Sequence, residues 1–80
     1  MSNVIFVRKT NDKNDLLATV NYLQNKGYKG VTYNQDPVDP NTYRILIVST
    51  DNDDLELVLK DLHKEGYKYA YIAPKKEFNL

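Results

Sequence analysis

Two stretches of this chain are repeated at one fixed offset. Thr10-Asn11-Asp12-Lys13-Asn14-Asp15-Leu16 is answered by Ser49-Thr50-Asp51-Asn52-Asp53-Asp54-Leu55, and Asn25-Lys26-Gly27-Tyr28-Lys29 by Lys64-Glu65-Gly66-Tyr67-Lys68, each 39 positions later. Leu23 falls on Leu62 at the same offset. Self-similarity of this kind marks one supersecondary unit used twice. It constrains architecture strongly and names no reaction.

Each copy carries the same punctuation. Val4-Ile5-Phe6-Val7 is a short apolar run rich in β-branched residues and reads as a strand. Asp12 is placed to cap a helix, with Asp15 three positions on as a short-armed capping box. Leu16, Leu17, Val20 and Leu23 follow at helical spacing, Gly27 ends the helix as a left-handed cap, and Tyr28 supplies the apolar contact that usually follows it. In the second copy Asp51 or its neighbour caps, Leu55, Val58, Leu59 and Leu62 form the stripe, and Gly66 terminates. The expected helices cover residues 13–26 and 52–65; the expected strands cover 3–9, 29–33, 42–49 and 69–73.

Between the copies, residues 34–41 hold two Asp-Pro steps and form a loop, because proline removes a donor and restricts the residue before it. Pro74 stops the last strand and releases a tail over 75–80, leaving one domain over 1–74 with repeats at 3–33 and 42–73. The order βαβ-βαβ, with a right-handed crossover in each half, leads to an α+β ferredoxin-like two-layer sandwich. Its four-stranded antiparallel sheet has order 4-1-3-2, with both helices on one face. An arrangement in which two chains exchange halves is the alternative.

Strand residues alternate between faces. Arg44 is a poor candidate for a place beneath the helices, so Tyr43, Ile45 and Ile47 are assigned there instead. Carried back by the offset, this puts Val4 and Phe6 inward and Ile5 and Val7 on the open face; Val31, Tyr33, Ala70 and Ile72 also point inward. The open face then presents Ile5, Val7, Leu46, Val48, Tyr69 and Tyr71, relieved by Arg44 and Thr32. A contiguous apolar patch of that size exceeds what a small monomer leaves wet. Homodimerisation through it is the expected use, since a twofold contact needs one self-complementary patch. A different protein partner would serve equally, and a slipped register or a tail that folds Phe78 and Leu80 over the patch would remove the need for either.

Composition bears on the remaining classes. Lys plus Arg equals Asp plus Glu at 11 each, so no global field favours nucleic acid or an anionic membrane. RNA recognition motifs share this topology but stack bases on aromatics of the central strands, where this assignment offers Ile5, Val7, Leu46 and Val48. The absence of cysteine excludes disulfides, thiolate zinc sites and thiol chemistry. No run approaches the ~20 residues of a membrane span and no signal-peptide pattern opens the chain, so a cytoplasmic location is expected.

The polar residues assemble no catalytic set. Asp51, Asp53 and Asp54 resemble the start of a calcium loop, but its sixth-position glycine is missing and Leu62 stands where a glutamate is needed. Helix capping explains the acidic run better. His63 has no second ligand and reads as a solvated residue; Ser2 and Ser49 have no histidine nearby in sequence; the Gly27–Gly30 segment follows a helix instead of opening one. Tyr22 is expected to be partly exposed on the first helix. No catalytic residue, metal site or cofactor is expected.

Over Val4–Ala73 the duplicated pattern resembles ferredoxin-like folds in general, including ACT-type regulatory domains. That resemblance implies an amino-acid site at the first strand-to-helix turn, often at a glycine, where this chain has Thr10-Asn11-Asp12-Lys13. The lysine- and asparagine-rich, cysteine-free chain also resembles small proteins of low-GC Gram-positive bacteria and their prophages, which implies no activity. A non-enzymatic interaction domain is therefore expected. The alternative is a dimeric α+β barrel, an enzyme or a small-molecule-binding regulator, with Arg44, Tyr69 and Tyr71 lining a pocket between two sheets.

Overall fold

The computed structural model describes residues 3–48 and 55–80. The elements run β1 (Asn3–Thr10), α1 (Lys13–Asn25), β2 (Val31–Gln35), β3 (Tyr43–Val48), α2 (Leu55–Lys64) and β4 (Tyr71–Pro74), closed by a 3-10 turn at Lys75–Phe78. The strands form one antiparallel sheet of order β2-β3-β1-β4, with the two helices completing a ferredoxin-like sandwich within a single chain. The expected caps at Asp51 and acidic run at 51–54 lie outside the described residues, as do Ser2 and Ser49.

Both helices end in the same hydrogen-bonded arrangement. Tyr28 N–H reaches Leu23 O at 3.2 Å and Gly27 N–H reaches Gln24 O at 3.0 Å; at the second helix Tyr67 N–H reaches Leu62 O at 3.0 Å and Gly66 N–H reaches His63 O at 3.1 Å. These are the two bonds of a Schellman cap, with Gly27 and Gly66 in left-handed backbone at φ 98° and 106°. At the first N-terminus Asp12 accepts from Asn14 and Asp15 N–H groups, as the sequence predicts. The capping box does not close. Thr10 Oγ1 accepts the Asp12 N–H instead, and the Asp15 carboxylate is taken by Arg8 at 2.7 Å.

Beneath the helices lies a core of Ile5, Val7, Leu16, Leu23, Ile45, Ile47, Leu55, Leu62 and Ala70. The inward assignments of Ile45, Ile47, Val31, Ala70 and Ile72 are those of the sequence reading. The assignments in β1 are reversed. Ile5 and Val7 lie in the helix-side core, and Val4 and Phe6 lie on the opposite face with Leu46 and Ala73.

A β-bulge is the cause. Phe6 pairs with Leu46 but Arg8 pairs with Ile45, leaving Val7 as an extra residue in β1. Downstream of the bulge, Arg8 shares a face with Ile45. Upstream of it, Ile5 pairs with Ile47 and every side chain is flipped relative to the offset.

The bulge also turns Arg8 towards α1. Its Nη2 donates to both Asp15 oxygens at 2.7 Å and to Thr19 Oγ1 at 2.9 Å, fixing the first turns of the helix to the sheet. A second clamp joins the far ends of the helices: Tyr22 O–H donates to Glu65 Oε2 at 2.8 Å, and Lys26 Nζ lies 3.0 Å from Glu65 Oε1. Tyr22 is partly exposed, as expected. His63 also stands on an exposed position, yet its Nε2 lies 3.0 Å from Ala70 O, tying α2 to the approach to β4.

These clamps give the fold an acid-sensitive component. The hydrogen bond from Arg8 holds the Asp15 carboxyl below its ordinary range, and that from Lys26 does the same for Glu65. Asp36, bonded by the Val38 N–H and by Lys9, is also lowered. A carboxyl with a depressed folded pKa stabilises fully above its unfolded value and loses that contribution as pH falls through the folded one. Urea midpoints should therefore hold down to about pH 5 and decline below about pH 4, the usual carboxylate range. In Arg8→Met the decline should be shallower. An equally steep decline in that variant would mean that the Arg8–Asp15 pair contributes nothing to acid sensitivity.

Candidate functional site

The sheet face opposite the helices carries the residues with most to explain. From β3 it receives Arg44, Leu46 and Val48; from β1, Val4 and Phe6; from β4, Tyr71 and Ala73; from β2, Thr32 and Asn34. The sequence predicts this face to be open. It is closed by the chain's own C-terminus, because Pro74 does not release a free tail. Extended backbone at Pro74 (φ −63°, ψ 143°) leads into the 3-10 turn, and Asn79 in left-handed backbone (φ 59°) caps it. Asn79 N–H bonds Lys76 O and Leu80 N–H bonds Lys75 O, each at 3.2 Å, so the turn is a compact unit.

One side chain anchors that unit to the sheet. The Phe78 ring stacks on Phe6 with centroids 5.8 Å apart and planes 10° from parallel, and Phe6 also packs against Tyr71 at 5.2 Å. Phe78, Val4, Phe6, Leu46 and Ala73 together form a second small core, separate from the one under the helices. The Arg44 guanidinium carbon lies 4.8 Å from the Phe78 ring centroid, within cation–π range. Arg44 Nε donates to Asn34 Oδ1 at 2.8 Å, and Asn34 Nδ2 donates to Phe78 O at 2.8 Å. Ring, guanidinium, amide and backbone carbonyl thus form a closed circuit spanning β2, β3 and the turn.

The circuit leaves one polar atom over. Arg44 is only 6% exposed, and its Nη2 has no hydrogen-bond partner among the described residues.

The residues singled out from sequence therefore separate into three groups. Arg44, Leu46 and Val48 lie on this face, the first two buried under the turn and Val48 at its margin. Tyr71 lies beside Phe6 and remains 47% exposed, while Tyr69, just ahead of β4, is 85% exposed. Ile5 and Val7 belong to the other face and are unavailable to any partner. Val4, Phe6, Ala73 and Asn34 were missed. Four successive buried residues, Val4–Val7, offer no polar alternation from which a face could be read.

A cleft of about 630 Å³ runs along α2 beside the C-terminal end of α1, lined by Lys26, Tyr28, Lys29, Leu55, Val58 and Asp61 among others. Its charges are mixed in sign and Leu55 borders residues outside the described set. Among the described residues, no group of three metal-ligating side chains comes together, and no helix is long and apolar enough to cross a membrane. No protein-family model, curated protein or solved structure matches the chain.

Proposed function

We propose that this chain is a non-enzymatic protein-interaction domain that pairs with a second copy of itself through the sheet face opposite the helices. The observation that supports this reading is the economy of the cover. Val4, Phe6, Leu46 and Ala73 form an apolar floor continuous with the half-exposed Tyr71, and a single aromatic side chain, Phe78, seals it. Within the single chain that floor is already buried, so Tyr71, 47% exposed, is the side chain of this face with substantial apolar area left to bury on pairing. Self-pairing needs only one patch per copy. Wild-type protein should form a concentration-dependent dimer across the micromolar range in sedimentation experiments, and a monomer throughout would remove the reading.

The corrected facing of β1 also bears on RNA. It brings one aromatic, Phe6, onto a central strand of this face, but Leu46 occupies the neighbouring one and Phe78 covers both. Stacking platforms need accessible ring faces. A labelled single-stranded RNA titrated into the same samples should leave its anisotropy unchanged; saturable binding by a monomer would replace the protein-pairing reading.

A further inference from the structure

We propose that the cleft along α2 binds a small organic cation with an apolar stem, an alkylguanidinium or alkylammonium group. The cleft lies on the helix side of the sheet, so this site is independent of the self-pairing face.

The internal repeat supplies the argument. At the offset of 39 positions, Arg8, Leu16 and Thr19 correspond to Ile47, Leu55 and Val58, and Tyr28 corresponds to Tyr67. Each tyrosine, placed by its helix cap, stands against the other half of the chain. Beside Tyr67 the groove is taken by Arg8, whose guanidinium bonds the Asp15 carboxylate and Thr19 Oγ1. Beside Tyr28, Ile47 stands in the place of the arginine and Val58 in that of the threonine, both shorter and apolar. The groove there is open, with about 630 Å³ of space over Ile47, Leu55 and Val58. That volume falls within the range of small-molecule sites, roughly 300–1,000 Å³. Two matching places thus exist in one fold, and an arginine side chain occupies the first. An aliphatic stem on the apolar wall, ending in a cation at a carboxylate, is the chemistry the first place displays.

The charges around the cleft are mixed in sign but unequally committed. Glu65 is engaged by Lys26 at 3.0 Å and by the Tyr22 hydroxyl at 2.8 Å. Asp61, one turn along α2 from Val58, meets no salt-bridge partner among the described residues. Burial raises the Tyr28 hydroxyl above its ordinary range, and Asp61 and Glu65 raise it further against the opposing Lys26. Lys29 and Lys64 are exposed at the rim and are not among the leading charges at that hydroxyl. Negative charge therefore prevails inside, where the Tyr28 ring also offers a face to a cation.

The test is titration of the full chain with butylguanidinium, methylguanidinium and butyrate, followed by backbone and side-chain chemical shifts. Butylguanidinium should give saturable shifts at Tyr28, Val58 and Asp61, and methylguanidinium should bind about tenfold more weakly for want of the stem. Asp61→Asn should raise the butylguanidinium dissociation constant about tenfold, the usual worth of a hydrogen bond to a charged group. Its melt should match wild type, since Asp61 is exposed. Equal binding by Asp61→Asn overturns the proposal, as does tighter binding of butyrate, equal binding of methylguanidinium, or the absence of saturable shifts. An extended peptide with one arginine, titrated in parallel, separates the sources of the cation. Tighter binding of the peptide supports the site with a protein side chain as its ligand, and weaker binding supports it with a free small molecule. None of these outcomes alters the oligomeric state that tests self-pairing.

Discussion

Replacing Gly30 with alanine should cost about 3 kcal/mol or more, although the added group is one methyl. Gly30 sits between the first helix cap and β2 in left-handed backbone at φ 74°. Its carbonyl accepts the Val48 N–H at 2.8 Å, which draws this turn tightly onto the end of β3. A Cβ there would stand 1.9 Å from Val48 O, with backbone on the other side of the contact. Something must move, and what moves is the start of the β2–β3 ladder. Left-handed strain of about 1–2 kcal/mol adds to the loss of at least one backbone hydrogen bond. Gly27→Ala is the natural control. It has a similar positive φ but nothing within 4 Å of the built Cβ, so it should lose only the conformational part, on the order of 1 kcal/mol. Equal urea midpoints for the two variants would show that the close approach to Val48 does not exist.

Replacing Leu46 with lysine should be similarly damaging, on the order of 3–5 kcal/mol. The residue points away from the helices, where a surface residue would tolerate charge. Here it is 0% exposed, packed among Val4, Phe6, Ala73 and Phe78, with the buried Arg44 guanidinium already over the Phe78 ring. A second cation would be desolvated without a partner. The turn should detach before the helix-side core fails, so trypsin should cut at Lys75 and Lys76 much faster than in wild type. Tyr71→Lys, on the same face but 47% exposed, should stay within about 0.5 kcal/mol. A Leu46→Lys variant as stable as Tyr71→Lys would mean that the turn does not cover the sheet.

The two variants probe features of different legibility. Gly30 is visible in the sequence as a glycine, but its severity comes from the approach of β3, whose partner atom is 18 positions away. Leu46 was legible as an outward residue of a central strand. That it is nonetheless buried depends on Phe78, whose role could be named from sequence only as one alternative among several.

What the sequence determined by itself was the local grammar: an Asp cap, two helices ended by glycine, loops at the Asp-Pro steps, and strands between them. These follow from short-range chemistry, in which a residue type and its neighbours decide the backbone. Chirality and pairing rules then sufficed for the sheet order. Tertiary structure decided what short-range chemistry leaves degenerate. The facing of Val4–Val7 depended on a single extra residue in β1, because a bulge exchanges the faces of everything upstream of it and an all-apolar strand carries no mark of which face is which. The capping carboxylate at Asp15 went to Arg8 because that same bulge aimed a guanidinium at it. The candidate interface became a covered slot because one aromatic ring, four residues past the last strand, gains more from Phe6 and Arg44 than from water.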